Sequence, residues 1–416
     1  MKHITLNVKS IFNNKKLLFS LIIFFTLLLR ITIIHLFGDK YLQSEWAIIV
    51  NNLSNHGEFS FRSFENFYVP NIYMPPLYIW FLYSFKIFNL NYENYVILIL
   101  YVQAIISSFS LIIFYGIVKN FFSKNLSLLL SIIFCFFPSY LYASSLISSI
   151  SLYIFLLLIF IYFFLKITIS SNFKLHFYLG IVAGLSLLLR GEFIFLFIIS
   201  LFYLFFYYKN VPLKNILITI LISLIVISPY LYRNVTKLNS YTIIKSLGFN
   251  LWKGNNPNSN VEGDLTRHVN EYGATNFQGE LEEKINNIKI DKYYDINLDN
   301  LFLDEALNNI KTQPQKYFLL YIKKIFSFMF FDINSSLKNY YNIVHLLPLI
   351  FISVFSFFGL LVSFNSSKNL NFIIILFLSN LLIFSFFFIL PRYNLIILPM
   401  QIILAGKLLD KFLKKF

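Results

Sequence analysis

The sequence predicts an all-α polytopic membrane protein, and three observations carry that prediction. Of 416 residues, 58% are hydrophobic and only 13% are charged. Apolar runs recur that approach the ~20 residues a bilayer requires. Lysines and acids then fall on opposite sides of the topology those runs imply. A soluble domain cannot solvate so much apolar surface. The net charge of +15 does not point to nucleic acid, because no basic stripe interleaves with a soluble fold.

The chain begins "MKHITLNVKSIFNNKKLLFSLIIFFTLLLR". Its charge resembles that of a signal peptide, but no small-residue cleavage site follows the apolar core, so it reads as a retained signal-anchor helix. Apolar runs near 17–37, 95–118, 125–142, 147–165, 176–189, 193–208, 214–231, 342–364, 370–390 and 393–409 give ten spans. One more run, "PPLYIWFLYSFKIF" from Pro75 to Phe88, is short and opens with helix-initiating prolines. Positive charge decides its placement. If it lies at the surface, the connections bearing Lys119 and Lys124, Lys166 and Lys174, Lys209 and Lys214, and Lys368 share one side with both termini. If it crosses, the first three change sides.

With ten spans, the inner side holds fifteen lysines and a single acid, Asp410, and the other eighteen of the 19 acids lie outside. Membrane orientation therefore accounts for the net charge without a polyanionic partner. The chain divides into a transmembrane module, residues 1–231, with a first external segment at 38–94; a second external segment at 232–341; and C-terminal spans at 342–416. Both termini are expected in the cytoplasm, at a bacterial cytoplasmic membrane.

The first external segment opens "FGDKYLQSEWAIIVNNLSNHGEFSF". Trp46, Ile49, Val50 and Leu53 repeat at helical spacing and predict an amphipathic helix near 43–55. That helix and the 76–88 helix are expected along the outer leaflet. Asp39, at the exit of the first span, is either a water-seeking helix terminus or a general base. Glu45 falls on the polar side of its helix, as a solvated residue or a supporting or alternative base.

All six arginines, Arg30, Arg62, Arg190, Arg233, Arg267 and Arg392, fall outside or in the outer half of a span, against the inside bias of positive charge. Arg190, Arg233 and Arg392 sit where outward-facing helix ends meet their loops. A guanidinium at headgroup depth suits a phosphate better than an ammonium does; each arginine alone could also snorkel to lipid. Glu192 is expected to pair with Arg190. Gln103, Asn380 and Gln401 read as interhelical hydrogen-bonding groups. The single cysteine, Cys135, rules out an internal disulfide and reads as a buried apolar residue. Six histidines, His176 and His345 among them, show no ligand spacing.

An acid after the first span, then "EWAIIVNNLSNHGEFSF" and "MPPLYIWFL", resembles the first external loop of the polyprenyl-phosphate-sugar-dependent glycosyltransferases of the GT-C class, such as the protein O-mannosyltransferases and the lipid A aminoarabinose transferases. "PYLYRNVTKLNSYTIIKSLGFNLWKGNNPNSN" and "LPRYNLIILPMQIILAG" resemble later segments of that class, in the same order.

The resemblance implies a GT-C fold with about ten transmembrane helices, and a sugar transferred from a polyprenyl-phosphate donor to a lipid, glycan or protein acceptor. Asp39 would be the catalytic base, with Glu45 as the alternative, since Lys40 stands where many relatives carry a second acid. Arg190, Arg233, Asn234, Arg392 and Tyr393 would line the donor phosphate site. Trp252 and Asn255, in the Gly-Asn-Asn-Pro stretch, would contact sugar or form a structural turn. No nucleotide-binding motif is evident. A divalent metal stays open, because acids of the two external segments could converge in space. A periplasmic glycan polymerase and a lipid or glycan transporter are the alternatives. The transporter reading is set against the lack of a convincing internal repeat and the collection of acids outside the membrane.

Overall fold

The computed structural model describes residues 15–42, 44–65, 67–270, 272–275, 277–364 and 366–414. The lysines at 2, 9 and 415, counted above for topology, lie outside the described residues. Helices occupy all ten apolar runs. They are α1 (Lys15–Phe37); in residues 38–94, the first of the two segments expected to be external, α2 (Ser44–His56) and α3 (Pro76–Ser84); then α4 (Tyr92–Val118), α5 (Lys124–Cys135), α6 (Pro138–Ala143), α7 (Ile150–Ile169), α8 (Phe173–Leu189), α9 (Phe193–Tyr207) and α10 (Leu213–Leu238). The second external segment holds α11 (Leu247–Gly254), α12 (Glu280–Asn286), α13 (Tyr294–Thr312) and α14 (Pro314–Met329), and the chain closes with α15 (Ile343–Ser363), α16 (Lys368–Phe384) and α17 (Asn394–Leu413). Among the described residues, α1, α4, α7, α10 and α15 are long and apolar enough to cross a bilayer by length and composition.

Small residues let these helices approach. A Cβ on Gly180 would lie 2.7 Å from the Thr219 carbonyl oxygen, and one on Gly184 would lie 2.6 Å from Val226 Cβ. The Gly-x-x-x-Gly spacing of α8 is thus the seam along which α10 packs. Gly359 plays the same part between α15 and α17, where a Cβ would stand 2.0 Å from the Leu404 carbonyl oxygen.

The structure refines three expectations. The 125–142 run is broken: Pro138 cannot continue α5, and the chain restarts as α6. The external segments also carry two antiparallel hairpins that helical periodicity does not reveal, β1 (Ser60–Phe64) with β2 (Phe67–Pro70) and β3 (His268–Asn270) with β4 (Gly273–Thr275). Finally, α2 does not offer its apolar stripe to the leaflet. Ile49 and Val50 are fully buried, and Trp46 meets Tyr78 edge-on at 4.9 Å between ring centres. Amphipathic spacing marks an apolar face but cannot say whether lipid or protein covers it.

Of the polar residues within spans, Gln103 and Gln401 bridge elements. Gln103 Oε1 accepts from Tyr78 Oη at 2.7 Å and Gln401 Nε2 donates to the Met329 carbonyl at 2.9 Å. Asn380 instead donates to the Leu376 carbonyl of its own helix at 2.7 Å. Cys135 is buried.

Candidate active site

Asp39 is aimed by the residue before it. A Cβ on Gly38 would stand 2.3 Å from the Ile34 carbonyl oxygen, so only glycine allows the chain to leave α1 this sharply. The turn brings Asp39 against the α6–α7 connection. Its backbone N–H donates to the Ser145 carbonyl at 3.0 Å, and its Oδ2 accepts the Ile147 N–H at 2.7 Å. The carboxylate is therefore held in a fixed orientation, within electrostatic reach of two tyrosines that line a cavity.

That cavity, of about 360 Å³, is lined by Tyr142 of α6, by Ser336–Tyr340 of the α14–α15 connection, and by Leu390–Arg392. Asp39 acts electrostatically on both Tyr142 and Tyr340, and Arg392 acts on Tyr340. Tyr340 Oη is buried without a hydrogen-bond partner among the described residues. Burial pushes the Tyr340 phenol up; Arg392 opposes that, and Tyr142 and Asp39 add to it.

Arg392 lies in a 3₁₀ turn, Pro391–Tyr393, exposed. No hydrogen bond or ion pair ties its guanidinium to another described residue. A second cation stands near it. Burial pushes the Lys253 ammonium below the ordinary lysine range, Glu45 raises it and Arg392 lowers it. Its Nζ lies 5.1 Å from the Phe388 ring centre. Glu45, in the first turn of α2, is therefore within electrostatic reach of Lys253, Asp39 within reach of Tyr142 and Tyr340, and Arg392 within reach of both Lys253 and Tyr340.

Arg190 supports this turn. Its Nε donates to Glu192 Oε1 at 2.7 Å, and its guanidinium packs over the rings of Tyr153 and Tyr393 at 5.2 and 5.3 Å. Tyr393, next to Arg392, also packs on Phe384 and Phe388. Arg190 thus grips the residue that follows Arg392.

The other expected site residues are engaged elsewhere. Arg233 donates to the Asn71 carbonyl at 2.6 Å, to Asn234 Oδ1 at 2.8 Å and to the Phe59 carbonyl at 3.3 Å. It ties the end of α10 to the first external segment. Asn234 is buried and donates to the Thr242 carbonyl at 2.9 Å. Trp252 is 1% exposed, walled in by Phe249, Phe277 and Phe302 with Arg267 over its ring, so in this structure its indole presents no face to a sugar. Asn255 Nδ2 donates to the Leu251 and Phe386 carbonyls, each at 2.8 Å, which pins the Gly-Asn-Asn-Pro turn beneath the 386–392 segment. Among the described residues no group of three or more His, Cys, Asp or Glu is placed to hold a metal ion.

Sequence reasoning missed Lys253, Tyr142, Tyr340 and Lys338. Lys253 stood in the "LWKGNNPN" stretch noticed for its tryptophan. The others lie in segments with no motif, joined to Asp39 only by folding.

A protein-family profile described as dolichyl-phosphate-mannose-protein mannosyltransferase matches residues 73–232. The match contains Arg190 and stops short of Asp39, Glu45, Arg233 and Arg392. Among solved structures, ArnT from Cupriavidus metallidurans bound to undecaprenyl phosphate aligns over 95% of this chain and 60% of its own, with a TM-score of 0.54 and 12% identity. The archaeal oligosaccharyltransferase AglB from Archaeoglobus fulgidus, in complex with an inhibitory peptide and a dolichol-phosphate, aligns over 96% of this chain and 51% of its own, with a TM-score of 0.56 and 12% identity. The chain has the GT-C fold. It spans about half to three-fifths of the length of these GT-C neighbours. A comparison with curated protein sequences gives no significant match. The GT-C likeness read from the motifs therefore holds at the level of the fold, in a helical protein of membrane character.

Proposed function

We propose that this GT-C protein is a membrane glycosyltransferase that moves a sugar from a polyprenyl-phosphate donor to an acceptor hydroxyl, at the outer face of a bacterial cytoplasmic membrane. The observation that carries this reading is a cavity lined by Arg392 and by two tyrosines, Tyr142 and Tyr340, that both lie within electrostatic reach of Asp39, with Tyr340 within reach of Arg392 as well. The profile match and the polyprenyl-phosphate ligands named with the two neighbours support the donor class.

In the proposed reaction the acceptor oxygen attacks the anomeric carbon as the bond from that carbon to the phosphate oxygen breaks. The hydroxyl proton passes to the Asp39 carboxylate, and the bonding electron pair leaves with the phosphate. The lipid phosphate gains a negative charge, which Arg392, with Lys253 and Lys338 near it, is placed to meet. One in-line displacement inverts the anomeric centre. Arg190 serves by fixing the turn that carries Arg392, and Arg233 by fixing the first external segment. Glu45 is assigned to orient Lys253, with proton acceptance as its alternative role.

The test is transfer by the purified protein in lipid nanodiscs, supplied with polyprenyl-phosphate and polyprenyl-diphosphate sugars and hydroxyl acceptors. Use of the monophosphate donor is expected, and Asp39→Asn should lower kcat by about 10²–10⁴, the range for losing a general base. Full activity in that variant rejects Asp39 and moves the role to Glu45. Consumption of diphosphate-linked oligosaccharide alone would favour the polymerase, and donor movement across liposomes without transfer would favour the transporter. Topology is checked separately with Asn91→Cys, since Cys135 is buried: an impermeant maleimide is expected to label it from outside.

A further inference from the structure

Residues 332–341 cross from α14 to α15 without regular secondary structure and supply the largest share of the cavity wall, Ser336–Tyr340. A strap of this kind needs something to hold it, and one buried carboxylate does so. Glu262 is 2% exposed. Its Oε1 accepts from Ser335 Oγ, and its Oε2 accepts from the Ser336 N–H at 3.0 Å and from Ser336 Oγ at 2.7 Å. No lysine or arginine is ion-paired to it among the described residues, so its charge is met by two hydroxyls and an amide. Such charge-assisted bonds are about twice as strong as neutral ones.

The same turn grips the opposite wall. The Ile389 N–H donates to the Val261 carbonyl at 2.8 Å, three residues before Arg392, and the Asp264 N–H donates to the Lys253 carbonyl at 2.9 Å. Residues 261–264 thus sit between the strap, the Arg392 turn and the helix that bears Lys253.

We infer that Glu262 is a positioning residue. By holding Ser335 and Ser336 it fixes the strap, so that Lys338 and Asn339 present a charge and an amide to the bound donor sugar, opposite Arg392. This inference rests on the reading of the cavity as the transfer site. Glu262 touches neither the base nor the cavity itself, so its loss acts on donor binding and leaves the proton-transfer step alone.

The experiment uses the full chain in nanodiscs, with a nitroxide spin label at Asn334→Cys, an exposed strap position. With Glu262 present the label spectrum should be that of a restrained segment; Glu262→Ala should sharpen it to that of a mobile one, and Glu262→Gln, which keeps one acceptor oxygen, should fall between. With a polyprenyl-phosphate sugar, Glu262→Ala should raise KM about tenfold, the scale of a lost hydrogen-bonded charge, leaving kcat and its pH profile unchanged. Ser335→Ala should cost less in KM when added to Glu262→Ala than when made alone, because the bond between the two is already gone. A label spectrum indifferent to Glu262, or a fall in kcat at constant KM, overturns the inference. The label measurement needs no turnover, so failure of the transfer reading would be recognised apart from failure of the strap.

Discussion

Arg392 and Arg233 show how the same residue type, at similar places in the sequence, takes different work. Both stand beside a tyrosine and are expected from the sequence as phosphate ligands, yet Arg233 lies within the last turns of α10 and Arg392 in the 3₁₀ turn before α17. Arg233 has donors taken by the Phe59 and Asn71 carbonyls and by Asn234, whereas Arg392 is exposed at a cavity with no such engagement among the described residues. A guanidinium already satisfied by protein cannot follow a growing negative charge without giving up those bonds; one without them can. Arg392→Ala is therefore expected to lower kcat/KM by about 10²–10³, the usual effect of removing one donor to a developing charge. Arg392→Lys should recover only part of it, because an ammonium lacks the planar fork. Steady-state transfer assays decide this, and an Arg392→Ala enzyme of normal kcat/KM would remove the arginine from the site. Arg233→Ala should act mainly through stability, by releasing the first external segment.

At the scale of elements, the second external segment is built around close helix contact. A Cβ on Gly248 would stand 1.9 Å from the Asp299 carbonyl oxygen, and one on Gly254 would stand 2.4 Å from that of Phe387, so α11 lies directly on α13 and beneath the Arg392 segment. Lys324 of α14 completes this packing. Its buried Nζ donates to the Gly254 carbonyl at 2.7 Å and reaches Asn255 Oδ1 at 3.4 Å. Burial pushes its ammonium from the ordinary 10.5 down to about 7. Between those values the unfolded chain holds a proton that the folded chain has lost, so stability from this group rises with pH across that window, by up to about 1.4 kcal/mol per pH unit. Below about pH 7 the full penalty of burying the charge is present. Thermal unfolding of the detergent-purified protein between pH 7 and 10 should show that rise, and Lys324→Met should flatten it. A wild-type profile already flat in this range would refute the assignment.

Over the whole molecule, what could be read from the sequence follows from how local each signal is. All ten apolar runs proved helical, because lipid demands continuous apolar stretches and such stretches are visible one residue after another. The break at Pro138 is as local a signal, but it sits inside a stretch whose hydropathy on both sides is that of one continuous span. Asp39 and Arg392 are marked by residue type and position, but nothing in one dimension says that Tyr142 and Tyr340 join them, lining a cavity with Arg392 and lying within electrostatic reach of Asp39. Trp252 shows the converse: an aromatic beside Asn and Gly looks like a sugar platform, and three rings from elsewhere in the second external segment turn it into core.

The least legible feature is the one that joins the two external segments. Arg62 of β1 pairs through Nε with Asp295 Oδ1 of α13, 233 residues away, both side chains 1% exposed. The guanidinium also donates to the Asn270 and Gly273 carbonyls at 2.6 and 3.0 Å and packs against the rings of Phe61, Tyr73 and Tyr294. Removing one member strands the other charge in a desolvated site, which costs about 3–5 kcal/mol, whereas removing both leaves no stranded charge. Arg62→Met and Asp295→Leu should each lower stability by about that amount, and the double variant should be less destabilised than the sum of the two. Because the pair is buried, the loss should change little with added salt. If unfolding of either single variant matches wild type, this pair does not weld the external segments. If both singles destabilise and transfer also falls, the shared external unit, and not the membrane helices alone, holds Glu45 and Lys253 beside Arg392.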